Sequence, residues 1–252
     1  MPRSRFVISR AWAVRRDRSW PAGGTLANRR ATFEHFGHSP GVSPEEFVTE
    51  FGRVRVSAIL RTDNQRKAAE AMAAALRGGF TIVEFTLTIP GVYELITEFS
   101  KREGVRVGAG TVLEVDQARR AVAAGATFLV SPVVDEAVIA AATALDVAAM
   151  PGTHTPTEML RAHRAGAQLC KLFPAPAGGP TWVRSVLGPM PFLKIVPTNG
   201  IDLENMDQWF AAGAHAGGFV TSLFAPADMA TGNWDAIEAR ARAIVERARE
   251  LS

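Results

Sequence analysis

The sequence lacks several features that mark particular classes of protein. Its 252 residues include one cysteine, Cys170, which excludes an internal disulfide framework and a cysteine-rich metal site. It has no apolar run long enough to cross a bilayer as a helix, so we expect no membrane partner. With 47% apolar residues, the chain can bury a large core, as one big domain or two small ones. We expect a globular protein in a reducing compartment, the cytoplasm.

The chain also lacks a net positive charge outside its first 33 residues. Residues 1–33 hold eight arginines against Asp17, a net charge of +7, which leaves 20 basic and 24 acidic residues elsewhere, a net charge of −4. The composition therefore argues against a nucleic-acid partner for the folded body. Apolar residues recur at no regular spacing in residues 1–43, so we expect these residues to form a basic, poorly ordered extension. An organelle transit peptide, a basic tail and a start codon placed too far upstream all fit this composition.

What the chain does have is a repeated unit: a short apolar run, a turn and an amphipathic helix. The predicted strands are Val54–Leu60, Ile82–Leu87, Val105–Ala109, Phe128–Val130, Val147–Met150, Leu169–Phe173, Leu193–Val196 and Ala216–Val220. The clearest predicted helices are Asn64–Leu76, Val115–Ala124, Asp135–Ala144, Pro156–Ala165 and Leu203–Ala212.

Eight such units imply a parallel sheet, and eight is the number that closes a (β/α)8 TIM barrel. An open doubly wound sheet is the alternative, but it usually has fewer strands and a glycine-rich turn after the first strand, where this chain has Leu60–Asn64. Ser43–Glu46 combines an N-cap, a proline and a capping-box glutamate, which predicts a short helix before the barrel. We therefore expect one barrel domain over residues 44–252.

Lys171 lies in the middle of the sixth predicted strand, which is apolar throughout. Period-two alternation puts Leu169, Lys171 and Phe173 on one face and Cys170 and Leu172 on the other. A lysine is rarely buried without a reason, and a desolvated amine is more often neutral and nucleophilic near pH 7. The pattern suggests a Schiff-base lysine, and the alternative is a lysine whose ammonium extends into solvent at the strand end.

Polar residues follow the strands at the end where the active site of a barrel lies. Glu84 is the only carboxylate in the second strand, and alternation turns it to the same face as Ile82 and Thr86. Two ionisable groups at the mouth of a barrel suit acid–base chemistry at a carbonyl. A purely structural Glu84–Lys171 ion pair is the alternative.

Five segments come in the order and spacing of one known family. They are Val83–Thr86, Gly108–Val112, Pro151–Glu158, Lys171–Pro174 and Pro197–Ile201, and with them the chain resembles the KDPG/KHG aldolases from about Glu46 to its end. The resemblance implies a metal-independent class I aldolase, usually a homotrimer, that needs no cofactor. Its substrate would be the phosphorylated keto acid 2-keto-3-deoxy-6-phosphogluconate (KDPG), cleaved to pyruvate and glyceraldehyde 3-phosphate. Members often also cleave 4-hydroxy-2-oxoglutarate (KHG) to pyruvate and glyoxylate.

The resemblance also assigns roles to individual residues. Lys171 matches the Schiff-base lysine and Glu84 the general acid/base. Thr111 and Pro132 match positions that line the pyruvyl pocket, and Phe173 matches the aromatic residue against the lysine. In the loops after strands seven and eight, where such barrels bind phosphate, the implied contacts are Thr198, Asn199, Gly200, Thr221 and Ser222, of which Ser222 matches the phosphate-binding serine.

Two departures from the family pattern bear on substrate binding. Thr88 stands where many members have an arginine for the substrate carboxylate, whereas Arg61 matches the arginine of another branch. Asn199 replaces the first glycine of a Thr-Gly-Gly turn, and asparagine tolerates the positive φ that the turn needs. Two alternatives to the aldolase stay open: another phosphate-binding barrel enzyme, such as an isomerase, epimerase or decarboxylase, and a barrel that binds a sugar acid without catalysis.

Overall fold

The computed structural model describes residues 42–251. The predicted extension over residues 1–43 therefore lies almost wholly outside the described residues. Helix α1 (Pro44–Val54) begins with the predicted capping box, in which Ser43 and Glu46 satisfy each other's backbone N–H groups. Within the described residues, no helix is long and apolar enough to cross a membrane.

Eight parallel strands form the predicted barrel. They are β1 (Val56–Leu60), β2 (Ile82–Thr86), β3 (Arg106–Gly110), β4 (Phe128–Ser131), β5 (Ala148–Thr153), β6 (Cys170–Leu172), β7 (Ile195–Pro197) and β8 (Gly217–Phe219). Each strand pairs with the next one along the chain, and β8 pairs with β1. A single bridge between Thr198 and Gly218 joins the ends of β7 and β8, so the ring is almost closed.

Helices connect the strands and cover the outside of the sheet. They are α2 (Gln65–Arg77), α3 (Val92–Phe99), α4 (Val115–Ala123), α5 (Glu136–Ala144), α6 (Pro156–Arg164), α7 (Gly179–Leu187), α8 (Met206–Ala211), α9 (Pro226–Thr231) and α10 (Trp234–Glu250). Helices α3, α7, α9 and α10 are additions to the predicted helices. Glycines and a proline at the start of α7 interrupt the helical spacing of apolar residues by which a helix is predicted from the sequence.

Two separate apolar clusters follow from the alternation along the strands. The larger cluster lies between the sheet and the helices and includes Cys170 and Leu172. The smaller one fills the lower barrel with Leu169, Ile82, Val196 and other inward residues, and Phe47 and Phe51 of α1 pack into it from below. Helix α1 thus closes the amino-terminal end of the barrel, and the opposite end is left for polar side chains.

Several predicted strand bounds were wrong. Val54 belongs to α1 rather than to the first strand, because Arg55 ends that helix in the left-handed region at φ 65°. The sixth strand is shorter than predicted and contains only Cys170, Lys171 and Leu172. The fifth is longer, since Pro151, Gly152 and Thr153 continue it toward the mouth.

Candidate active site

Lys171 lies inside the barrel, as the alternation predicted. It pairs with Gly152 of β5 and Val196 of β7, above the apolar cluster that contains Leu169. The residue is only 9% exposed, which disfavours the alternative of an ammonium extended into solvent. Its Nζ lies 5.3 Å from the ring centroid of Phe173, so the aromatic side chain borders the amine at the mouth.

Glu84 of β2 is the carboxylate of the barrel interior and is 1% exposed. Neither carboxylate oxygen has a hydrogen-bond partner within residues 42–251, so no hydrogen-bonded ion pair with Lys171 forms. Burial raises the pKa of Glu84, against the opposing effect of the positive charges of Lys171 and Arg61. A buried carboxyl whose pKa is raised, and whose two oxygens have no partner among the described residues, is a candidate general acid and base.

Gly110, on the neighbouring strand β3, makes room for that carboxylate. A Cβ atom at residue 110 would lie 1.8 Å from Glu84 Oε1. Gly152, which pairs with Lys171 in the sheet, makes room for the backbone of Pro132, because a Cβ there would lie 2.2 Å from the Pro132 oxygen. The interpretation of the sequence gave neither glycine a role, although glycine within a strand often marks a close approach.

Arg61 and Thr111 meet across the mouth of the barrel. The Arg61 guanidinium donates a hydrogen bond of 3.0 Å to Thr111 Oγ1. Thr111 has a φ of 61°, a strained conformation for a β-branched residue and one that is often found at functional sites. Thr88 is exposed and its hydroxyl pairs with that of Thr86 at 2.9 Å. An arginine is thus present at this end of the barrel at residue 61, and residue 88 is an uncharged threonine.

The loop after β7 contains a second unpartnered polar group. Thr198 is 1% exposed, and its Oγ1 has no hydrogen-bond partner in the described part of the chain. A Cβ at Gly218 would lie 2.8 Å from this oxygen, so glycine is needed on the adjacent strand. Asn199 adopts a φ of 62°, which confirms that asparagine can replace glycine in this turn, and Gly200 follows at 113°.

Ser222 lies in the loop after β8, where its hydroxyl donates a hydrogen bond of 2.9 Å to the backbone oxygen of Ile201. The bond joins the two loops in which the sequence predicts phosphate contacts. Ser222 does not cap a helix, because α9 begins four residues later with Ala225 as its N-cap. Thr221 beside it is exposed.

The structure thus collects the predicted site residues at one end of the barrel. The Lys171 amine and the Glu84 carboxyl lie inside the barrel. The Arg61 guanidinium and the turns that contain Thr111 and Asn199, both with positive φ, surround them. Among the described residues, no three histidine, cysteine, aspartate or glutamate side chains are grouped so that they could hold a metal ion. Cys170 is buried on the outer face, and burial raises its pKa to about 12, which confirms a packed rather than a reactive thiol.

Comparisons with known proteins agree with this geometry. The family model "KDPG and KHG aldolase" matches residues 48–240. A probable 2-dehydro-3-deoxy-6-phosphogalactonate aldolase of Rhizobium meliloti is 36% identical over 172 residues, which cover 67% of this chain and 81% of that protein. The KHG/KDPG aldolase of Escherichia coli strain K12 is 32% identical over 213 residues, which cover 82% and 97% of the two chains.

A solved structure adds a covalent reaction intermediate to the comparison. KDPG aldolase from Legionella pneumophila, with pyruvate captured as a covalent carbinolamine, superposes with a TM-score of 0.70 at 25% identity, covering 78% of this chain and 97% of that one. The family match spans well over half of the chain, and the eight-stranded parallel barrel fits it. This chain belongs to the KDPG and KHG aldolase family.

Proposed function

We propose that this protein is a class I aldolase that cleaves KDPG to pyruvate and glyceraldehyde 3-phosphate through a Schiff base on Lys171, and that also cleaves KHG. The observation that carries the proposal is the pair formed by Lys171 and Glu84. One is the single lysine of the barrel strands, and the other is a buried carboxyl whose oxygens have no partner in the described residues. A structural ion pair would instead satisfy both charges.

Lys171 and Glu84 together account for every proton and electron pair that moves in the cleavage reaction. The Lys171 amine attacks the C2 carbonyl of the keto acid, and loss of water gives an iminium. Glu84 takes the proton of the C4 hydroxyl while the C3–C4 bond breaks, and the bonding electrons pass into the iminium to form an enamine. The aldehyde leaves, Glu84 returns the proton to C3, and water hydrolyses the resulting iminium to release pyruvate.

The residues at the mouth fit the two ends of such a substrate. Arg61 and Thr111, already joined by a hydrogen bond, suit the C1 carboxylate. The unpartnered Thr198 hydroxyl suits a substrate oxygen inside the barrel. The loops that Ser222 links would bind the phosphate, together with Asn199, Gly200 and Thr221. Pro132 and Phe173 would border the pyruvyl group.

The C4 epimer of the substrate, 2-keto-3-deoxy-6-phosphogalactonate, is the second candidate. The Rhizobium meliloti relative at 36% identity carries that name, and Arg61 matches the arginine of a branch that lacks the one at Thr88. Steady-state cleavage of the two epimers under the same conditions distinguishes the candidates, since the natural substrate will have the higher kcat/KM.

Borohydride reduction in the presence of pyruvate tests the Schiff base. We expect the intact protein to gain one reduced pyruvate adduct, located on Lys171 by peptide mass spectrometry. Lys171→Met should stay folded, remain unlabelled and lose turnover, whereas Lys194→Met removes an exposed lysine and should keep both. Labelling that persists in Lys171→Met would place the Schiff base on another amine, and no labelling in the wild type would favour an isomerase, epimerase, decarboxylase or binding protein on the same fold.

The homotrimer and the cytoplasmic location also belong to the proposal, since they rest on the family resemblance and on composition. Native mass spectrometry tests the first, because a trimer has three times the subunit mass of 27.0 kDa. Cell fractionation tests the second against targeting to an organelle by residues 1–43.

A further inference from the structure

An arginine outside the site donates a hydrogen bond to the loop that carries Thr221 and Ser222. Arg240 of α10 donates from Nη1 to the backbone oxygen of Leu223 at 2.7 Å and from Nη2 to Asp228 Oδ2 at 2.8 Å. We propose that Arg240 is a positioning residue for the phosphate end of the substrate, an inference that rests on the proposed function.

Burial makes this attachment stronger than an ordinary surface ion pair. The side chains of Arg240 and Asp228 are 30% and 15% exposed, so solvent screens their attraction less than that of a fully exposed pair. Asn233 donates a further hydrogen bond of 3.2 Å to Asp228 Oδ1, which fixes the carboxylate that in turn orients the guanidinium. The planar fork of arginine serves two acceptors at once, and the single ammonium of lysine cannot reproduce that geometry.

The far end of the same segment is fixed by a second helix. Lys67 of α2 donates to the backbone oxygens of Met229 and Ala230 in α9, each at 3.0 Å. Helix α9 is therefore tied at its carboxyl end to α2, and Arg240 ties α10 both to Asp228 in α9 and to the loop before it. Leu223 adjoins Ser222; its side chain is buried, and its N–H donates to Val220 O at 3.1 Å. Loss of the Arg240 bond leaves the Leu223 carbonyl without this donor, so the peptide next to the predicted phosphate contact can shift.

A shift of the Leu223 peptide would also move the neighbouring site residues Thr221 and Ser222. Within the described residues, the hydrogen bond that joins Ser222 to the loop after β7 runs from its hydroxyl to Ile201 O, and its neighbour Thr221 is exposed. A rotation at Leu223 therefore moves the two loops relative to each other. The hydrogen bonds of Arg240 go to Leu223 and Asp228, whereas Glu84 and Lys171 lie on β2 and β6, so the chemistry at C2 to C4 should be preserved.

The experiment compares Arg240→Met, Arg240→Lys and Asp228→Asn with a matched control on the same helix. Arg247→Met removes a similar guanidinium about two turns farther along α10, whose hydrogen bonds go to Asp207 and Glu250 instead of the loop. KM and kcat are measured for phosphorylated KDPG and for unphosphorylated KHG. We expect Arg240→Met to raise the KM for KDPG about tenfold or more and that for KHG less than about twofold, with kcat nearly unchanged. Arg240→Lys and Asp228→Asn should give intermediate values, and Arg247→Met should resemble the wild type.

A second measurement separates failure of this inference from failure of the proposed function. The rise in melting temperature caused by inorganic phosphate needs no turnover, and we expect it in the wild type and Arg247→Met but much reduced in Arg240→Met. An equal rise in all variants, no rise in any, or equal KM changes for both substrates would overturn the role of Arg240. Absence of borohydride labelling at Lys171 would instead overturn the proposed function, and the phosphate measurement would still decide the role of Arg240.

Discussion

The substitution Gly110→Ala tests whether the position of the Glu84 carboxylate controls catalysis. The added methyl would lie 1.8 Å from Glu84 Oε1, and Cβ contacts under 3.0 Å essentially never occur, so this oxygen must retreat by at least about 1.2 Å. A misplacement of about 1 Å can cost a factor of about 100 in rate, equivalent to about 2.7 kcal/mol of transition-state stabilisation. We expect kcat to fall about 100-fold and the free energy of unfolding by only about 1 kcal/mol.

Two assays separate the carboxyl from the lysine. Borohydride trapping of pyruvate reports Lys171, whereas exchange of the pyruvate methyl protons with deuterated water, followed by NMR, reports proton transfer at C3 by Glu84. In Gly110→Ala we expect trapping near the wild-type level and exchange slowed about as much as cleavage. Unchanged exchange, or a parallel loss of trapping, would refute the assignment of Glu84 as the group displaced.

Two further variants test whether Gly110→Ala acts through Glu84. Glu84→Asp shortens the side chain by one methylene, so the double variant Gly110→Ala with Glu84→Asp should lose less than the two single losses combined. Gly188→Ala adds a methyl whose nearest neighbour is Ser185 O at 3.6 Å, an ordinary contact, and should behave like the wild type. Strict additivity in the double variant would show that Gly110 acts on something other than Glu84.

Three other predictions concern phosphate and pH. Ser222→Asp should weaken cleavage of KDPG about tenfold or more through charge repulsion, and cleavage of KHG much less; equal losses would place the phosphate elsewhere. Glu84→Gln should abolish turnover. Because burial raises the pKa of Glu84 and disfavours its ionised form, the wild type should lose stability as pH rises above 4.5, and the glutamine variant should not. Chemical denaturation of both proteins at pH 4.5 and pH 8 measures this difference. Burial lowers the pKa of His215, whose Nε2 lies 3.0 Å from Val48 O, so stability should fall as pH drops below 6.5, when the unfolded chain binds the proton more readily. His215→Gln should flatten that dependence, and the exposed His163→Gln should not.

The sequence by itself determined the barrel and the face on which its lysine lies. The repeated strand and helix pattern predicts eight parallel strands, since each unit can bury its apolar face only against its neighbours. Period-two alternation was enough to turn Lys171 inward and Cys170 outward, because successive side chains of a strand point to opposite faces. Local rules also predicted the capping box of α1 and the positive φ of Asn199.

The limits of the strands were decided by competition between neighbouring elements. Val54 fits the apolar pattern of the first strand, but α1 extends over it before Arg55 turns the chain. The proline and glycine of Pro151–Thr153 suggested a loop, and pairing with β4 and β6 keeps this segment in the sheet. Local composition carries no information about either outcome, because the partner strand lies elsewhere in the chain.

Only the tertiary structure decided what surrounds the reacting groups. Gly110 makes room for a carboxylate 26 positions earlier, and the stagger between β2 and β3 sets that contact. Within residues 42–251, the side chains that the fold places around Glu84 and Thr198 leave their oxygens without hydrogen-bond partners. Arg240 reaches the loop after β8 only because α10 packs beside it. The physical reason is that alternation and capping act over a few residues, whereas space, desolvation and hydrogen bonding in the site depend on side chains from distant strands.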